Sequence, residues 1–288
     1  MRPFELHRPP ALPDALALLG ELGEEARPYA GGTELLLVMK QGLARYGHLV
    51  DLKRLPGLTT IDFDAASGQL RLGALCRHRD VELSPVVRAA WPLLAAAEAE
   101  VANVRVRNTG SIGGNLCFAE PHSDIATLFR LAGCRVTLTG PQGDRELDLA
   151  EFLVGAYETA LAPGELLTQV VLGPLKPDTR YGYRRFRFHE RPSLNVGVAL
   201  VGAERVVAAR VVVGACESVP RRLAAAEAVL VGVPLAELPA AAEGLKAAVC
   251  AAVQPLEDAS GSPAYKQELA GVLAVRALAD ALQGGASR

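Results

Sequence analysis

Two glycine-rich turns constrain this 288-residue chain more than any other feature of its sequence. In the first, YAGGTELLLVMK, a short strand enters a Gly-Gly pair, and a helix is predicted to leave with Thr33 as its N-cap. In the second, RVRNTGSIGGNLCFAEPHSD, an alanine-rich helix leads into Gly110, Gly113 and Gly114. Glycine reaches positive φ and allows close approach to its backbone, so both stretches can hold a ligand.

The chemistry that such turns support is anion binding. The first N–H groups of a helix lack backbone acceptors, and the helix dipole adds partial positive charge there. Taken alone, the first turn is more often a simple Gly-Gly turn than a ligand site. In the second, the glycines would let several N–H groups face one anion, a backbone nest. Ser111 and Asn115 add polar side chains there, and Asp124 can accept from sugar-type hydroxyls.

The two turns differ from the standard phosphate-binding motifs. Neither matches G-x-G-x-x-G or G-x-x-x-x-G-K-[ST], so neither a Rossmann site nor a Walker loop is predicted. Two non-standard turns, one for each part of a diphosphate ligand, indicate a large dinucleotide lying across two lobes. Since no catalytic triad, metal-ligand cluster or paired carboxylates stand out, we predict no catalytic and no metal-binding residue and assign the chemistry to the cofactor.

Composition argues against several other classes of function. A formal net charge of −2 gives no basic surface for nucleic acid or an anionic membrane. The five cysteines are widely spaced without a C-x-x-C pair, which argues against disulfides and against zinc or iron–sulfur ligation. No signal-type segment opens the chain, and no apolar run approaches the roughly 18 residues of a membrane span, so we expect a cytoplasmic protein.

The chain divides at a proline-containing loop, near residues 176–180. Before this loop, strand and helix patterns alternate, with hairpins around SG and PQG. After it, strand-like runs are followed by amphipathic helices. We therefore predict an α+β chain with domains at 1–176 and 177–288, the first made of lobes at about 1–55 and 56–176.

The ordered pair of motifs resembles that of the FAD-binding medium subunits of the molybdenum hydroxylases. This group includes xanthine dehydrogenase, aldehyde oxidase and aerobic carbon monoxide dehydrogenase. The resemblance covers nearly the whole chain, through HLVDLKRLPGL, LRLGAL, ELLTQVVLG and VVVGACESVPRRLAAAEAVLVG. It implies a two-lobed FAD-binding domain of the vanillyl-alcohol oxidase type, followed by a smaller α+β domain with a short antiparallel sheet and helices.

The resemblance also implies which residues hold FAD, without a covalent link. Asp124 would accept from ligand hydroxyls, Leu167 would pack near the flavin, and Arg185 stands where relatives carry a basic residue near the cofactor. The remaining contacts come from the two turns, largely through backbone N–H groups: Ala30, Gly31, Gly32, Thr33, Glu34, Leu35, Gly110, Ser111, Ile112, Gly113, Gly114 and Asn115.

Some residues depart from the family pattern or have two interpretations. Ser111 and Cys76 stand where relatives more often carry Thr, and HERPSLNVGVAL lacks the acid–aromatic pair that some relatives place beside the flavin ring. His122 is either a proton-moving group near the flavin or, more commonly, an exposed loop histidine without a role. Cys117 is more typical of an inert core thiol than of a redox residue. A basic run either faces a phosphate or a partner or forms a solvated strand face: Arg184, Arg185, Arg187 and Arg191.

The resemblance finally implies a place in a larger complex. A large subunit would oxidise the substrate at molybdopterin, and a small subunit would pass electrons from [2Fe–2S] clusters to the FAD held by this chain. The acceptor would be NAD⁺, oxygen or a quinone, and the assembly a dimer of heterotrimers. Two alternatives stay open: a stand-alone flavin oxidoreductase of the same fold, and an assembly subunit that has lost FAD. The first motif contains no His or Cys for a covalent flavin link, and the intact glycines argue against loss of the site.

Overall fold

The computed structural model describes residues 2–284. The sheet at its N-terminal end is parallel. Its elements are β1 (Glu5–His7), α1 (Leu12–Leu22), β2 (Ala26–Tyr29), α2 (Leu35–Lys40) and β3 (His48–Asp51). β3 lies in the centre, with β1 and β2 on either side. α1 buries Ala15 and Leu19, four residues apart on one helix face, and it ends before Gly23, which has a φ of +53°. The first glycine motif follows directly after the end of β2 in this sheet.

The second sheet is antiparallel, in the strand order β4-β5-β10-β6-β7. Its segment contains β4 (Ile61–Asp64), β5 (Gln69–Gly73), α3 (His78–Leu83), α4 (Pro85–Ala90), α5 (Pro92–Glu98), α6 (Val104–Arg107), α7 (Ile112–Phe118), α8 (Asp124–Ala132), β6 (Arg135–Gly140), β7 (Gly143–Asp148), α9 (Leu149–Phe152), β8 (Leu153–Gly155), β9 (Glu158–Thr159) and β10 (Leu166–Leu172). The predicted hairpins around SG and PQG are confirmed as β4–β5 and β6–β7.

The single alanine-rich helix predicted before the second motif is wrong, because the structure divides it into α5 and α6. The chain between them passes through Ala102, whose φ of +42° is incompatible with a continuous helix. Asn103 then starts α6 by accepting hydrogen bonds on its side chain from the N–H groups of Arg105 and Val106. An asparagine cap inside an alanine-rich run was the available signal for this break.

The C-terminal segment is an antiparallel sheet followed by helices, which confirms the predicted α+β order. Its elements are β11 (Thr179–Phe186), β12 (Leu194–Val201), β13 (Ala208–Gly214), β14 (Arg221–Arg222), α10 (Ala224–Leu230), α11 (Ala242–Ala252) and α12 (Pro263–Leu282). α12 packs on β11 and β12 and covers a core of aliphatic side chains. No helix within residues 2–284 is both long and apolar enough to span a membrane.

Helix α8 forms a main contact between the second sheet's segment and the C-terminal sheet. It packs against β12 and β13, and Thr127 Oγ1 donates to Asn195 Oδ1 at 2.8 Å. A Cβ atom on Gly214 would lie 2.0 Å from Thr127 Oγ1, so only glycine permits this approach. Asp124, the first residue of α8, is therefore held between two parts of the chain.

Candidate functional site

The structure brings the two glycine motifs into direct contact. A Cβ atom on Gly31 would lie 2.1 Å from the carbonyl oxygen of Thr109 and 2.8 Å from the Cα of Gly110. Both distances are shorter than side-chain atoms tolerate, so glycine is required at this position. The two motifs, distant in sequence, thus form one continuous backbone surface.

The first motif presents backbone N–H groups that the protein does not use. Among the described residues 2–284, the N–H groups of residues 31–34 donate to no protein acceptor, and these residues are half-buried. The first helical hydrogen bond of this turn runs from the Leu36 N–H to the Gly32 carbonyl. The N-cap of α2 is Glu34, so the prediction that Thr33 is the N-cap is wrong by one residue. Free N–H groups at the start of a helical turn suit an anion.

The second motif differs, because its N–H groups are already engaged within the protein. The donors and acceptors are Gly110 to Val106 O (2.6 Å), Ile112 to Cys76 O (2.9 Å), Gly113 to Ala74 O (2.8 Å), Gly114 to Ser111 Oγ (3.2 Å) and Asn115 to Ser111 O (2.9 Å). The expectation of a backbone nest here is wrong in this respect: the amides of Ile112 and Gly113 fasten α7 to the chain just after β5, and the others bond to α6 or to Ser111. Ser111 caps α7 as its buried N-cap residue.

The end of the second motif remains accessible to a ligand. Gly114 is exposed and Asn115 is half-buried, whereas Ile112 and Gly113 lie in the interior. Asn115 accepts through its Oδ1 from Ser123 Oγ at 2.8 Å. Its amide N–H₂ donates to no acceptor among residues 2–284, so this side chain has a donor to offer.

Asp124 is buried and bound on both carboxylate oxygens. Its Oδ1 accepts from the Tyr183 hydroxyl at 2.5 Å and from Asn195 Nδ2 at 3.3 Å. Its Oδ2 accepts from Arg185 Nη1 at 3.0 Å. Burial, followed by the charge of Asp124, raises the pKa of Tyr183 well above its ordinary value, which keeps the phenol a hydrogen-bond donor. Asp124 and Arg185, both predicted from the sequence, are therefore brought together, and acceptance from ligand hydroxyls stays a prediction.

A cavity of about 300 Å³ lies beside this ion pair. It is lined by Ala97 and Glu100 on one side and, on the other, by residues 183–186 of β11 and by Arg187, which follows that strand. Arg185 and Arg187 both pair with Glu100 across it. Leu167, in contrast, is 5% exposed and packs in the core of the second sheet, so its predicted contact with the flavin is not tested.

Two cationic side chains near the first motif were not predicted from the sequence to belong to the site. Lys53 follows β3, and its Nζ lies 3.6 Å from the centre of the Tyr29 ring and 3.5 Å from the Ala30 carbonyl oxygen. The signal for Lys53 was its place after a parallel strand, where such sheets bind ligands. Arg191 was recognised only as part of a basic run.

Arg191 connects the two glycine motifs through their acidic neighbours. Its Nη2 donates to the Glu34 carboxylate at 2.8 and 2.9 Å, and its Nη1 donates to Glu120 at 2.5 Å. Glu34 belongs to the first motif and Glu120 follows α7. The loop between β11 and β12 is therefore fastened to both motifs by one guanidinium group.

His122 belongs to a network that joins the second motif to the C-terminal segment. Its ring lies 2.9 Å from Glu120 Oε1 and 3.3 Å from Asp258 Oδ2, and Asp258 also pairs with the buried Lys266. The hydrogen bond with Glu120 raises the pKa of His122, against the effect of burial. Burial raises the pKa of Glu120, but its bonds with His122 and Tyr157 and the charge of Arg191 outweigh this and lower it to about 2. The interpretation of His122 as an exposed residue is wrong, because it is half-buried and paired.

The cysteines beside the motifs are poor nucleophiles. Burial raises the pKa of Cys76 to about 11 and that of Cys117 to about 12. A thiol reacts as its thiolate, so both remain unreactive at neutral pH. This result favours the interpretation of Cys117 as an inert core residue.

Comparison with known families identifies this arrangement. Residues 2–174 match the family model described as the FAD binding domain in molybdopterin dehydrogenase. The chain belongs to this family of FAD-binding domains. Residues 188–281 match the model described as the CO dehydrogenase flavoprotein C-terminal domain. The chain is thus the FAD-binding medium subunit type of the molybdenum hydroxylase family, and FAD is its cofactor.

Similar curated proteins span almost the whole chain. The carbon monoxide dehydrogenase medium chain of Afipia carboxidovorans is 34% identical over 283 residues, which cover 96% of this chain and 95% of that protein. The 6-hydroxypseudooxynicotine dehydrogenase complex subunit alpha of Paenarthrobacter nicotinovorans is 30% identical, over 93% of this chain and 90% of that protein. Both are named as subunits of oxidoreductases, but for different substrates, so similarity at this level does not single out one substrate.

Solved structures show the same fold. A cyanide-inactivated Cu,Mo-CO dehydrogenase superimposes with a TM-score of 0.91 at 32% identity, covering 98% of this chain and 99% of that one. Carbon monoxide dehydrogenase from Hydrogenophaga pseudoflava, in a form that lacks the Mo-pyranopterin moiety, gives a TM-score of 0.93 at 31% identity, over 99% and 100% of the two chains.

The residues present fit FAD by their chemistry. The free N–H groups of residues 31–34 suit the diphosphate, and the donor on Asn115 suits a phosphate or hydroxyl oxygen. Lys53 and Arg191 are cations beside the first motif, and in the chain they are paired with Asp51 and with Glu34 and Glu120, respectively. The exposed face of Gly114 carries no side chain that would exclude a ligand from the backbone.

Proposed function

We propose that this chain relays electrons in a multi-subunit molybdenum hydroxylase, from the [2Fe–2S] clusters of a small partner subunit through FAD to an external acceptor. The observation that carries the proposal is the contact between Gly31 and Thr109–Gly110, with free N–H groups next to it. In this role the chain does not select the carbon substrate, which belongs to the large molybdopterin subunit. The acceptor is NAD⁺, oxygen or a quinone, and the complex is a dimer of heterotrimers in the cytoplasm.

The two glycine motifs would hold the diphosphate and the ribityl chain. Residues 30–35 would bind through backbone N–H groups, with Lys53 and Arg191 offsetting the negative charge of the ligand. Residues 110–115 would act in two ways, since Ser111, Ile112 and Gly113 position the turn, and Gly114 and Asn115 contact the ligand. We base this division on burial and hydrogen bonding: Ser111, Ile112 and Gly113 are buried, and the N–H groups of Ile112 and Gly113 bind protein carbonyls, whereas Gly114 and Asn115 are accessible.

The ion pair of Asp124 and Arg185 would define the end of the site near the flavin ring. Bound flavin supplies exchange of one or two electrons between a cluster and a two-electron acceptor. The protein's part is to orient the ring and to set its electrostatic surroundings. Arg185 and Arg187 place positive charge along one wall of the cavity, and such charge stabilises an anionic ligand group.

The domain arrangement is part of the proposal. We infer an FAD-binding domain at 1–176, with lobes at about 1–55 and 56–176 in the vanillyl-alcohol-oxidase-type arrangement, and a C-terminal domain at 177–288. The separate parallel and antiparallel sheets support the two lobes, and the loop between β10 and β11 supports the boundary. The contact of the two motifs supports a site between these lobes.

The first test is a titration of the purified chain with FAD, followed by flavin fluorescence, with FMN as the control ligand. We expect saturable binding of FAD and at least about tenfold weaker binding of FMN, because FMN lacks the diphosphate-linked adenylate half. A chain that binds neither flavin is then co-expressed with large and small subunits. Absence of FAD from that complex would favour an assembly subunit that has lost its cofactor.

The second test concerns the relay. The assembled complex is reduced by the substrate of its large subunit, before and after removal of FAD, and reduction of the acceptor is measured separately from reduction of the [2Fe–2S] clusters. We expect cluster reduction to persist and acceptor reduction to stop without FAD. Substrate oxidation by the isolated chain would instead favour a stand-alone flavin oxidoreductase.

A further inference from the structure

Three side chains that can bind a metal converge on one face of the first sheet: Glu5, His7 and His48. Glu5 and His7 lie two residues apart on β1, so both side chains leave the same face of the strand. His48, the first residue of β3, is the parallel partner of Glu5. Two hydrogen-bonded strands therefore hold the three groups, and a sheet positions ligands more rigidly than a loop does.

The spacing of the three groups matches the ligands of a single small ion. His7 Nε2 lies 3.0 Å from His48 Nδ1. A Glu5 oxygen lies 3.7 Å from His48 Nδ1, and one ligand atom from each residue lies within 4.8 Å of the others. A tetrahedral ion with metal–nitrogen bonds of about 2.0–2.1 Å places neighbouring ligand atoms roughly 3.3 Å apart. The two measured separations lie on either side of that value.

We propose that Glu5, His7 and His48 form a binding site for a zinc-like divalent transition metal. Two imidazoles and one carboxylate are a ligand set that zinc accepts, with water in the fourth position. The His7 and His48 side chains are 20% and 28% exposed, so an ion has a path to both rings. The Glu5 side chain is 66% exposed, and its carboxylate lies 3.7 Å from His7 Nδ1.

The position of the site indicates a structural role, separate from the proposed FAD function. The metal joins the edge strand β1 to the central strand β3. His48 is also the partner of Ala26, where β2 begins, whereas the first glycine motif follows the opposite end of β2. Binding at this site therefore stabilises the sheet and takes no part in the relay.

The test uses the full-length chain without an affinity tag, after treatment with a chelator. Zinc binding is measured by calorimetry, and Co²⁺ is added as a spectroscopic probe, because its visible absorption reports the ligand geometry. We expect one equivalent of zinc to bind, a Co²⁺ spectrum of a four-coordinate site, and a higher Tm with zinc. Binding should weaken at least about tenfold in His48→Asn and in Glu5→Gln.

Two variants make the result decisive. Glu5→Gln changes an exposed side chain and should leave the fold intact, and His189→Asn removes an exposed histidine of the β11–β12 loop as a matched control. The control should bind zinc as the unmodified chain does. A hydrogen bond between the two rings is the alternative explanation of the 3.0 Å separation. Absence of saturable zinc binding in the unmodified chain, or binding by Glu5→Gln and His48→Asn that is as tight as in the unmodified chain, would overturn the metal site in favour of that bond.

Discussion

The two glycine motifs look alike in sequence, but their backbone amides have different partners. In the first, residues 31–34 keep their N–H groups free of protein acceptors on a half-buried turn. In the second, the amides of Ile112 and Gly113 bind the backbone at the end of β5. One glycine-rich turn thus offers groups to a ligand, while the other mainly holds a helix against a strand. Glycine content alone does not distinguish these two uses.

The sharpest test of this difference is Gly113→Ala. The added Cβ would lie 2.7 Å from both the carbonyl oxygen and the Cβ of Ala74, inside the core. We expect the free energy of unfolding, measured with urea, to fall by roughly 3 kcal/mol. Gly20→Ala is the matched control, because nothing lies within 4 Å of its added Cβ. Equal stability of the two variants would show that the second motif is not a packing element.

Gly31→Ala should weaken ligand binding, because it separates the two motifs. The new Cβ would overlap the Thr109 carbonyl oxygen and would push the two motifs apart. We expect FAD to bind about 100-fold more weakly, or about 2.7 kcal/mol. The affinity is measured by flavin fluorescence, in the assembled complex if the isolated chain needs its partners. An unchanged affinity would separate the contact of the motifs from FAD binding.

Arg191→Met should produce a smaller loss of FAD affinity. It removes the cation shared by Glu34 and Glu120 and leaves the Glu34 carboxylate unbalanced beside the first motif. We expect binding about tenfold weaker, with a reduced dependence on salt concentration. Arg276→Met, on the exposed face of α12, is the control. Tighter binding in Arg191→Met would show that the guanidinium group blocks the first motif instead of supporting it.

The smallest expected effect concerns the loop that follows the second motif. The pKa of His122 is raised in the folded chain, so its pairing stabilises the fold most below its ordinary pKa of 6.5, and this contribution is lost as the pH rises through the folded-state pKa. The unmodified chain should therefore exceed His122→Asn by roughly 1 kcal/mol near pH 6 and by less at pH 9. Urea unfolding at both pH values measures this. A difference that does not change with pH would exclude the charged pair as its cause.

Much of the fold could be predicted from the sequence because its signals are local. Alternating apolar residues around SG and PQG predicted two hairpins, and strands before helices predicted the C-terminal α+β order; both are confirmed. The errors concern where helices begin and end. Thr33 has the chemistry of an N-cap, but α2 begins one residue later than predicted, with Glu34 as its N-cap. The alanine-rich run favours one helix, but the backbone at Ala102 interrupts it.

The sequence by itself determined that the chain is an α+β protein and a member of the molybdenum hydroxylase flavin-subunit group. The order and spacing of the two motifs can be read along the chain without knowing how it packs. Only the tertiary structure decided which amides stay free for a ligand, because hydrogen-bond partners such as Ala74 and Cys76 come from the segment after β5, which is distant along the chain. It also decided that Arg191 joins both motifs and that Glu5, His7 and His48 meet. These contacts depend on how separate segments pack, and a local sequence pattern does not predict that packing.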